Sequence, residues 1–235
     1  MLAELIRANQ PCVALTGAGV STESGIPDFR SAGGIWSHYD PYEVGSIDAF
    51  RRDPARVWEF YGLRLGVLAD AEPNAAHHAL ARLEAAGLLD AVITQNVDRL
   101  HAAAGSRDVV EVHGSIERAE CIACGAEVAP DELRRLLPLP VCPRCGAVLK
   151  PGVVMFGELL PEAAIDRAVE LARGAALLLV VGSSLEVWPV AGLPEETLGH
   201  GGKLAIVNRD PTRYDARAAL VVHRSAGDVL KPLCV

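Results

Sequence analysis

A glycine-rich segment at residues 17–30, GAGVSTESGIPDFR, directly follows the apolar run at residues 12–15. Gly17 and Gly19 let the backbone turn sharply and approach a bound group, so that main-chain N–H groups could face a phosphate. The pattern is half of a dinucleotide-binding fingerprint. Thr22 occupies the third glycine position, and no acidic residue ends a second strand about 20 residues on. We therefore expect a dinucleotide that is consumed rather than one that exchanges a hydride.

Four of the six cysteines form two Cys-x2-Cys pairs separated by 17 residues. The paired residues are Cys121, Cys124, Cys142 and Cys145. Two such pairs can close a tetrahedral four-thiolate zinc site, and four protein ligands leave no position for a reactive water. The zinc is therefore predicted to be structural, with disulfides or free thiols as the weaker alternative. Cys12 and Cys234 lack such spacing and are predicted to be small core residues.

Five short apolar runs end in small, polar or ionisable residues. They lie at residues 12–15, 91–93, 109–112, 177–181 and 204–207. Such uninterrupted runs are typical of parallel strands buried on both faces, and helix-like segments at 75–86 and 161–173 separate some of them. Because ligands bind beyond the carboxyl ends of such strands, the polar residues there should share one crevice. The predicted fold is α/β, with a Rossmann-like doubly wound parallel sheet.

Two segments interrupt this pattern. Residues 31–75 combine aromatic side chains with helix-like sequence and are predicted to be a helical lid insertion. Residues 115–156 contain the cysteine pairs and are predicted to be a small zinc-ribbon module. The remaining ranges, 1–30, 76–114 and 157–235, would form the nucleotide-binding domain. Asn74 is expected to cap a helix in which His77 and His78 are ordinary helix residues.

Composition excludes several classes of function. A net charge of −8 over 235 residues argues against a general nucleic-acid binder. The longest apolar stretch, residues 175–181, is too short to cross a membrane, and the N-terminal segment is too short and too charged for a secretory signal. We therefore expect a cytoplasmic protein without nucleic-acid or membrane partners. The oligomeric state is left open, and a monomer fits the sequence.

The motifs together resemble those of the sirtuins, the NAD-dependent protein lysine deacylases, in the same order along nearly the whole chain. The matching stretches are GAGVSTESGIPDFR at 17–30, TQNVDRLH at 94–101, HG at 113–114, the cysteine pairs, VVMFGE at 153–158, GSSLEV at 182–187 and the asparagine at 208. One departure is the Gly-Ser-Ser at 182–184, where Gly-Thr-Ser is commoner. This change keeps the hydroxyl group.

The resemblance implies that NAD is a consumed co-substrate, held by residues that follow the strands. These residues would be Gly17, Ala18, Gly19, Ser21, Asp28, Phe29, Arg30, Trp36, Gln95, Asn96, Val97, Asp98, Gly182, Ser183, Ser184, Asn208, Arg209, Asp210 and Ala226. It also implies that His113 is the general base and Asn96 a second catalytic residue. Composition alone would favour a structural role for a lone histidine. The implied products are free lysine, nicotinamide and O-acyl-ADP-ribose.

The implied substrate is an acyl-lysine peptide, added as a strand between residues 154–158 and 185–187. The residues expected to contact it are Val154, Phe156, Gly157, Glu158, Leu185 and Val187. Main-chain pairing of this kind tolerates many side-chain sequences, which suits a protein substrate of varied sequence. Ordinary sheet and loop packing is the alternative for both segments.

A Tyr-x2-Arg pair in the predicted lid matches that of class III sirtuins, and Ala32 matches the small residue of that class. Tyr61 and Arg64 would lie on one face of a helix. A phenol and a guanidinium there could bind the carboxylate of an acidic acyl group. We therefore expect deacetylation together with removal of succinyl or malonyl groups. The alternative is a core tyrosine beside a solvated arginine.

Other functions remain as alternatives to the deacylase. A mono-ADP-ribosyltransferase would transfer the same activated sugar to a protein nucleophile. A non-catalytic sensor of NAD or ADP-ribose would need none of the catalytic side chains, yet His113, Asn96 and Asp98 are all present. An oxidoreductase is disfavoured by the incomplete fingerprint.

Overall fold

The computed structural model describes residues 1–233. In chain order, the strands of this range are β1 (Cys12–Thr16), β2 (Ala91–Thr94), β3 (Val109–Glu111), β4 (Gly114–Glu120), β5 (Glu127–Val128), β6 (Lys150–Val153), β7 (Leu177–Val181), β8 (Lys203–Val207) and β9 (Leu220–Val222). Its α-helices are α1 (Leu2–Ala8), α2 (Pro41–Val44), α3 (Ile47–Arg52), α4 (Pro54–Ala69), α5 (Ala75–Ala85), α6 (Leu100–Ala103), α7 (Pro130–Leu136), α8 (Glu162–Gly174), α9 (Leu193–Gly199) and α10 (Ala226–Leu230).

The chain forms two compact units. The first comprises residues 1–28, 72–112 and 161–233, and the second comprises residues 29–71 and 113–160. Most of the predicted lid and the whole predicted zinc-ribbon segment fall in the second unit. Their separation into two modules, with the boundaries given above, stays a prediction.

A parallel six-stranded sheet in the order β3-β2-β1-β7-β8-β9 organises the first unit. Every residue of β1, β2 and β7 is buried, which explains why these strands read as unbroken apolar runs. Helices α1, α5 and α10 supply side chains to the core around the sheet. The predicted doubly wound α/β fold is confirmed.

The order of the strands also locates a ligand-binding edge. β1 pairs with β2 on one side and with β7 on the other, and Thr16 is in register with both Thr94 and Val181. The chain proceeds outward from β1 in opposite directions on its two sides, so the β1/β7 border is the topological switch point of the sheet. Open parallel sheets bind ligands beyond the strand ends at this point.

The second unit combines helices α2, α3, α4 and α7 with an antiparallel sheet in the order β5-β4-β6. Trp58 of α4 is buried, and its indole N–H donates to the carbonyl oxygen of Leu149 at 2.6 Å. This bond joins α4 to the residue that precedes β6.

Cys12, which belongs to neither Cys-x2-Cys pair, is a buried residue of β1. Burial, and secondarily Asp90, raises the pKa of the Cys12 thiol to about 12, so Cys12 is an inert core residue as predicted. Cys234 lies outside the described residues.

Among residues 1–233, no helix has the length and apolar character that a membrane crossing requires.

Candidate active site

The glycines after β1 pack against the glycine after β7. The N–H of Gly19 donates to the carbonyl oxygen of Gly182 at 2.9 Å, and Gly182 has a φ of 59°. A Cβ atom placed on Gly182 would lie 2.2 Å from the backbone nitrogen of Val20. Side chains at these positions would therefore push the two strand ends apart at the switch point.

Four main-chain donors of this loop are bonded within the protein. The N–H groups of Gly17, Gly19, Val20 and Ser21 all donate to protein carbonyls, at 2.9–3.2 Å. The first turn after β1 is a short 3-10 helix, Ala18–Val20. The small residues fit close contact between two strand ends, and the predicted approach of this loop to a phosphate stays a prediction.

A buried hydroxyl joins the two predicted NAD-binding motifs of the first unit. Ser21 Oγ accepts a hydrogen bond from Asn96 Nδ2 at 3.0 Å and donates to Asp98 Oδ2 at 2.7 Å. The second carboxylate oxygen of Asp98 accepts from the N–H of Leu100 at 3.0 Å. The amide and the carboxylate are therefore held at fixed positions at the end of β2, where the sheet topology places a ligand.

His77 completes this network, and its predicted role as an ordinary helix residue is wrong. It is fully buried, whereas His78 is exposed. Its Nδ1 accepts from the N–H of Asn74, which confirms the predicted helix cap, and its Nε2 lies 3.4 Å from Ser21 Oγ. Nδ1 is an acceptor, so the ring proton resides on Nε2 and points to the serine.

A second buried histidine, His101 on α6, packs against His77 with ring centroids 4.8 Å apart. Its Nε2 lies 2.9 Å from Thr16 Oγ1, which donates to Thr94 Oγ1, and this last oxygen accepts from the N–H of Asn96. Burial lowers the pKa of His101 to about 3 and that of His77 to about 4, although Asp98 partly opposes the shift at His77. Both rings are neutral at physiological pH.

Acid is expected to destabilise the protein through this pair. In the folded state both histidines have a pKa below the unfolded value of about 6.5, so between about pH 4 and 6.5 the unfolded chain binds more protons. The contribution of the two neutral histidines to the free energy of unfolding is complete above pH 6.5 and is lost as pH falls. Lowering pH from 7 to 5 should reduce the free energy of unfolding by about 2 kcal/mol per histidine.

Urea unfolding at the two pH values tests this expectation. In His101→Gln the loss between pH 7 and 5 should shrink by about 2 kcal/mol, because one of the two groups no longer titrates. His78→Ala removes an exposed histidine of the same region and should leave the loss unchanged. An equal loss in wild type and His101→Gln would contradict the assigned neutral state of His101.

The end of β7 presents a second polar group. Ser183 is buried, and its Oγ accepts from Gln95 Nε2 at 2.9 Å and from the N–H of Leu185 at 3.3 Å. Ser184 is exposed, and Leu185 is buried with a φ of 55°. Gln95 and Ser183 therefore connect the ends of β2 and β7 across β1. Val187 is half-buried, and Val97 is likewise half-buried beside Asn96.

The remaining predicted NAD-binding residues lie after β8 and at the start of α10. Asn208 Nδ2 donates to the carbonyl oxygen of Asp210 at 2.8 Å, and both Arg209 and Asp210 are exposed. Ala226 is buried in the core of the unit. The next N–H, that of Gly227, donates to Glu23 Oε1 at 3.0 Å. The predicted roles of these residues toward NAD stay predictions.

In the second unit, the segment that follows Asp28 forms an aromatic cluster. The rings of Phe29 and Trp36 have centroids 5.1 Å apart, and the N–H of Trp36 donates to the carbonyl oxygen of Phe29. Trp36 also stacks on Phe60 of α4 at 6.1 Å. Arg30 and Ala32 are exposed. Aromatic contacts therefore link residues 29–36 to α4, the helix that carries Tyr61 and Arg64.

That pair occupies one turn of α4. Tyr61 is buried, and burial raises the pKa of its phenol to about 12, so the hydroxyl stays protonated and can donate. The guanidinium carbon of Arg64 lies 4.9 Å from the ring centroid of Phe29 and 5.8 Å from that of Phe60. Arg64 is half-buried against aromatic rings and is not a solvated surface arginine.

His113 stands between β3 and β4, where the chain enters the second unit. It is half-buried, and its carbonyl oxygen accepts from the N–H of Val154 at 2.9 Å. The following residue, Gly114, pairs with Val153 in the antiparallel sheet. The predicted base and the predicted substrate-binding segment are therefore neighbours through main-chain hydrogen bonds.

Residues 154–158 already use most of their main-chain donors. The N–H groups of Val154, Met155, Phe156 and Glu158 donate to His113 O, Glu158 Oε2, Gly45 O and Met155 O respectively. The carbonyl oxygen of Phe156 accepts from the N–H of Ile47. The segment therefore leaves few main-chain donors for the predicted substrate strand.

The four paired cysteines form one cluster, with sulfur atoms within 4.8 Å of one another. Cys121 Sγ lies 3.4 Å from Cys145 Sγ, and Cys124 Sγ lies 3.7 Å from Cys142 Sγ. A tetrahedral zinc site with bonds of about 2.3 Å has sulfur–sulfur edges of about 3.8 Å, whereas a disulfide needs about 2.05 Å. The thiols fit a structural zinc.

Loss of one ligand is expected to remove the metal. Cys121→Ser should lower zinc content from about one ion per chain to near zero, since the binding free energy of such a site, about 10 kcal/mol or more, is also folding free energy. Elemental analysis and thermal unfolding measure both effects. Cys12→Ala, which keeps all four ligands, should retain the metal. Zinc retained at full occupancy in Cys121→Ser would contradict the four-thiolate site.

Comparison with known proteins adds an independent observation. A model of the Sir2 family matches residues 17–189. The NAD-dependent protein deacylase 2 of Pyrobaculum aerophilum is 46% identical over 232 residues, which cover 99% of this chain and 93% of the relative. A solved complex of a mutant Sir2 homologue with ADP-ribose has a TM-score of 0.95 at 42% identity, covering 99% of this chain and 93% of that chain. A solved complex of Sir2 with p53 peptide and NAD+ has a TM-score of 0.90 at 39% identity, with coverage of 98% and 94%.

Proposed function

This chain belongs to the Sir2 family, and from this we infer that it is an NAD-dependent protein lysine deacylase. The observation that carries the inference is full-length similarity to proteins with this activity, combined with an intact set of polar residues at the strand ends. Ser21, Asn96 and Asp98 are hydrogen-bonded to one another, and His113 is present. A sensor without catalysis would not need His113.

NAD, when bound, supplies a ribose carbon from which nicotinamide departs. We propose that Asn96 and Asp98 bind the nicotinamide ribose and the carboxamide, because amide and carboxylate groups pair with hydroxyl and amide donors. Ser21 and His77 hold these two side chains, so little reorganisation accompanies binding. Gln95, at the end of β2, would contact this same part of the cofactor. Ser183 and Asn208, after β7 and β8, would contact phosphate and the adenosine ribose.

His113 would act as the general base. Imidazole is the side chain best suited to accept a proton from a ribose hydroxyl at neutral pH and to return it later in the reaction. The main-chain bond from Val154 to His113 fixes the backbone from which the imidazole extends. The base therefore acts from a rigid position and not from a mobile loop.

We propose that the acyl-lysine peptide binds along residues 154–158 and 185–187. Its main chain would pair with the few donors and acceptors that the segment leaves available, which allows many peptide sequences. Tyr61 and Arg64 would bind a terminal carboxylate on the acyl chain, so succinyl and malonyl groups should be removed as well as acetyl groups. The half-buried guanidinium and the protonated phenol support this preference.

A matched peptide panel tests the proposal. Purified protein with NAD should release free lysine peptide from acetyl-, malonyl- and succinyl-lysine substrates, with one nicotinamide per lysine released. Label from the adenine ring should appear in O-acyl-ADP-ribose. Label that instead becomes attached to protein would indicate the mono-ADP-ribosyltransferase alternative. Nicotinamide release without any lysine product would contradict the deacylase assignment. A cytoplasmic location, and the lack of nucleic-acid and membrane partners, stay predictions.

A further inference from the structure

Lys150 is a buried cation to which the proposed reaction gives no role. It is the first residue of β6, and its side chain is 3% exposed. Three of the 22 basic residues in the sequence are lysines, so this chain rarely uses an ammonium group. Burying an ammonium group costs free energy unless hydrogen-bond acceptors surround it, so the groups around Lys150 should explain why it is buried.

Four acceptor atoms from three parts of the second unit surround the ammonium nitrogen of Lys150. Lys150 Nζ donates to the carbonyl oxygens of Pro151 and Val153, each at 2.9 Å. It also lies 2.9 Å from Glu120 Oε1 on β4 and 3.3 Å from Glu158 Oε2. A compact ammonium suits this arrangement because its donors radiate from a single point.

Two of these acceptors flank the substrate-binding segment. Val153 directly precedes residues 154–158, and Glu158 ends them, so one nitrogen atom joins the two ends of the segment. The same carboxylate oxygen of Glu158 accepts from the N–H of Met155 at 2.8 Å. Lys150 therefore closes a loop at its base, and Phe156 and Gly157 are exposed at the outer part of that loop.

We propose that Lys150 is a positioning residue for the acyl-lysine peptide, acting through Glu158 and the carbonyl of Val153. The inference rests on the proposed function, which assigns residues 154–158 to the peptide. With the base of the loop closed, the carbonyl of Val154 and the N–H of Gly157 are preorganised to pair with a substrate strand. Without the ammonium, the Glu158 carboxylate turns to water and Met155 loses its acceptor.

A purely structural role leads to a different expectation. Lys150 would then hold β6 against β4 through Glu120, and its loss would lower thermal stability without changing peptide binding by the folded molecules. The two carboxylates separate these roles, because Glu120 lies on the sheet and Glu158 lies on the substrate segment. Glu120→Gln removes the charge of the first contact and leaves the second intact.

The test compares wild type with Lys150→Met, Lys150→Arg and Glu120→Gln in the full chain. Lys150→Met should raise the KM for an acetyl-lysine peptide about 10- to 100-fold, the loss expected for a charge-assisted contact, while the KM for NAD changes less than about twofold. Lys150→Arg keeps a cation but spreads its donors over a larger planar group, so it should recover only part of this loss. Glu120→Gln should keep the peptide KM within about twofold of wild type.

Amide hydrogen exchange over residues 154–158 gives a readout that does not need turnover. In Lys150→Met, exchange at Met155 should accelerate about tenfold or more, whereas Glu120→Gln should leave it unchanged. Unchanged exchange at Met155, or an unchanged peptide KM in folded Lys150→Met, would overturn the inference. A wild type that binds no acyl-lysine peptide would instead overturn the proposed function. In that case the exchange rate of the Met155 amide would still depend on Lys150, so the two failures can be distinguished.

Discussion

Replacing His113 by alanine is expected to lower the rate of deacylation by about 100- to 10,000-fold, the range lost when a general base is removed. The imidazole is the group that takes the ribose proton, and alanine has nothing to replace it. The loss should appear in kcat with acetyl-lysine and succinyl-lysine peptides alike, because proton transfer does not depend on the acyl chain. Steady-state kinetics at saturating NAD and peptide measure it.

Folding and cofactor binding should survive the change. His113 is half-buried, and the main-chain bond from its carbonyl oxygen to Val154 does not depend on the side chain. Calorimetric NAD affinity should therefore stay within about threefold of wild type. His78→Ala, which removes an exposed helix histidine, serves as the matched control with normal kinetics. Near-normal turnover in folded His113→Ala would rule out its role as the base.

The strands of the first unit could be predicted from sequence because burial on both faces leaves a simple signal. Leu177–Val181 has the predicted bounds, and β1 and β2 differ from their apolar runs by the single threonine that ends each. These two threonines, Thr16 and Thr94, are in register and hydrogen-bonded to each other. Because threonine is polar, the sequence placed these two positions in the loops that follow the strands, although the strands continue through them.

The residues that hold the candidate site were harder to predict. A histidine in an alanine-rich helix has no pattern that separates an exposed position from a buried one, so His77 and His78 looked alike. What distinguishes His77 is a contact with Ser21, 56 positions away in sequence. The spacing of three residues from Asn74, which forms the capping box, was the one local signal that could have identified it.

Long-range contacts also explain why the second unit was only partly predictable. The cysteine spacing indicated the metal cluster because all four ligands lie on two local turns. By contrast, the bond from Trp58 to Leu149 and the ion pair of Lys150 with Glu120 join segments that are distant along the chain. No periodicity encodes such pairs, and a lysine at the start of a strand looks like a surface residue until the opposing carboxylates are known.

Arg64→Met is expected to raise the KM for a succinyl-lysine peptide about 30- to 150-fold, which corresponds to the loss of about 2–3 kcal/mol from a bidentate charge-assisted contact in a partly dry pocket. Acetyl-lysine turnover should change little, because the acetyl group has no carboxylate. Methionine keeps an apolar stem against Phe29 and Phe60, so the aromatic cluster should remain packed. Tyr61→Phe should give a smaller loss with the same selectivity, since it removes one hydrogen bond and no charge.

Parallel kinetics on the two peptides distinguish acyl recognition from a structural role of Arg64. Arg64→Lys keeps the charge but not the planar pair of donors, so its succinyl-lysine KM should fall between those of wild type and Arg64→Met. Because the guanidinium also lies against two aromatic rings, a structural role would lower activity on both substrates together as the cluster loosens. Equal losses on acetyl- and succinyl-lysine would therefore remove the case for an acidic acyl preference and leave the deacylase assignment in place. A loss confined to the succinyl peptide would place the carboxylate at the Tyr61–Arg64 turn of α4.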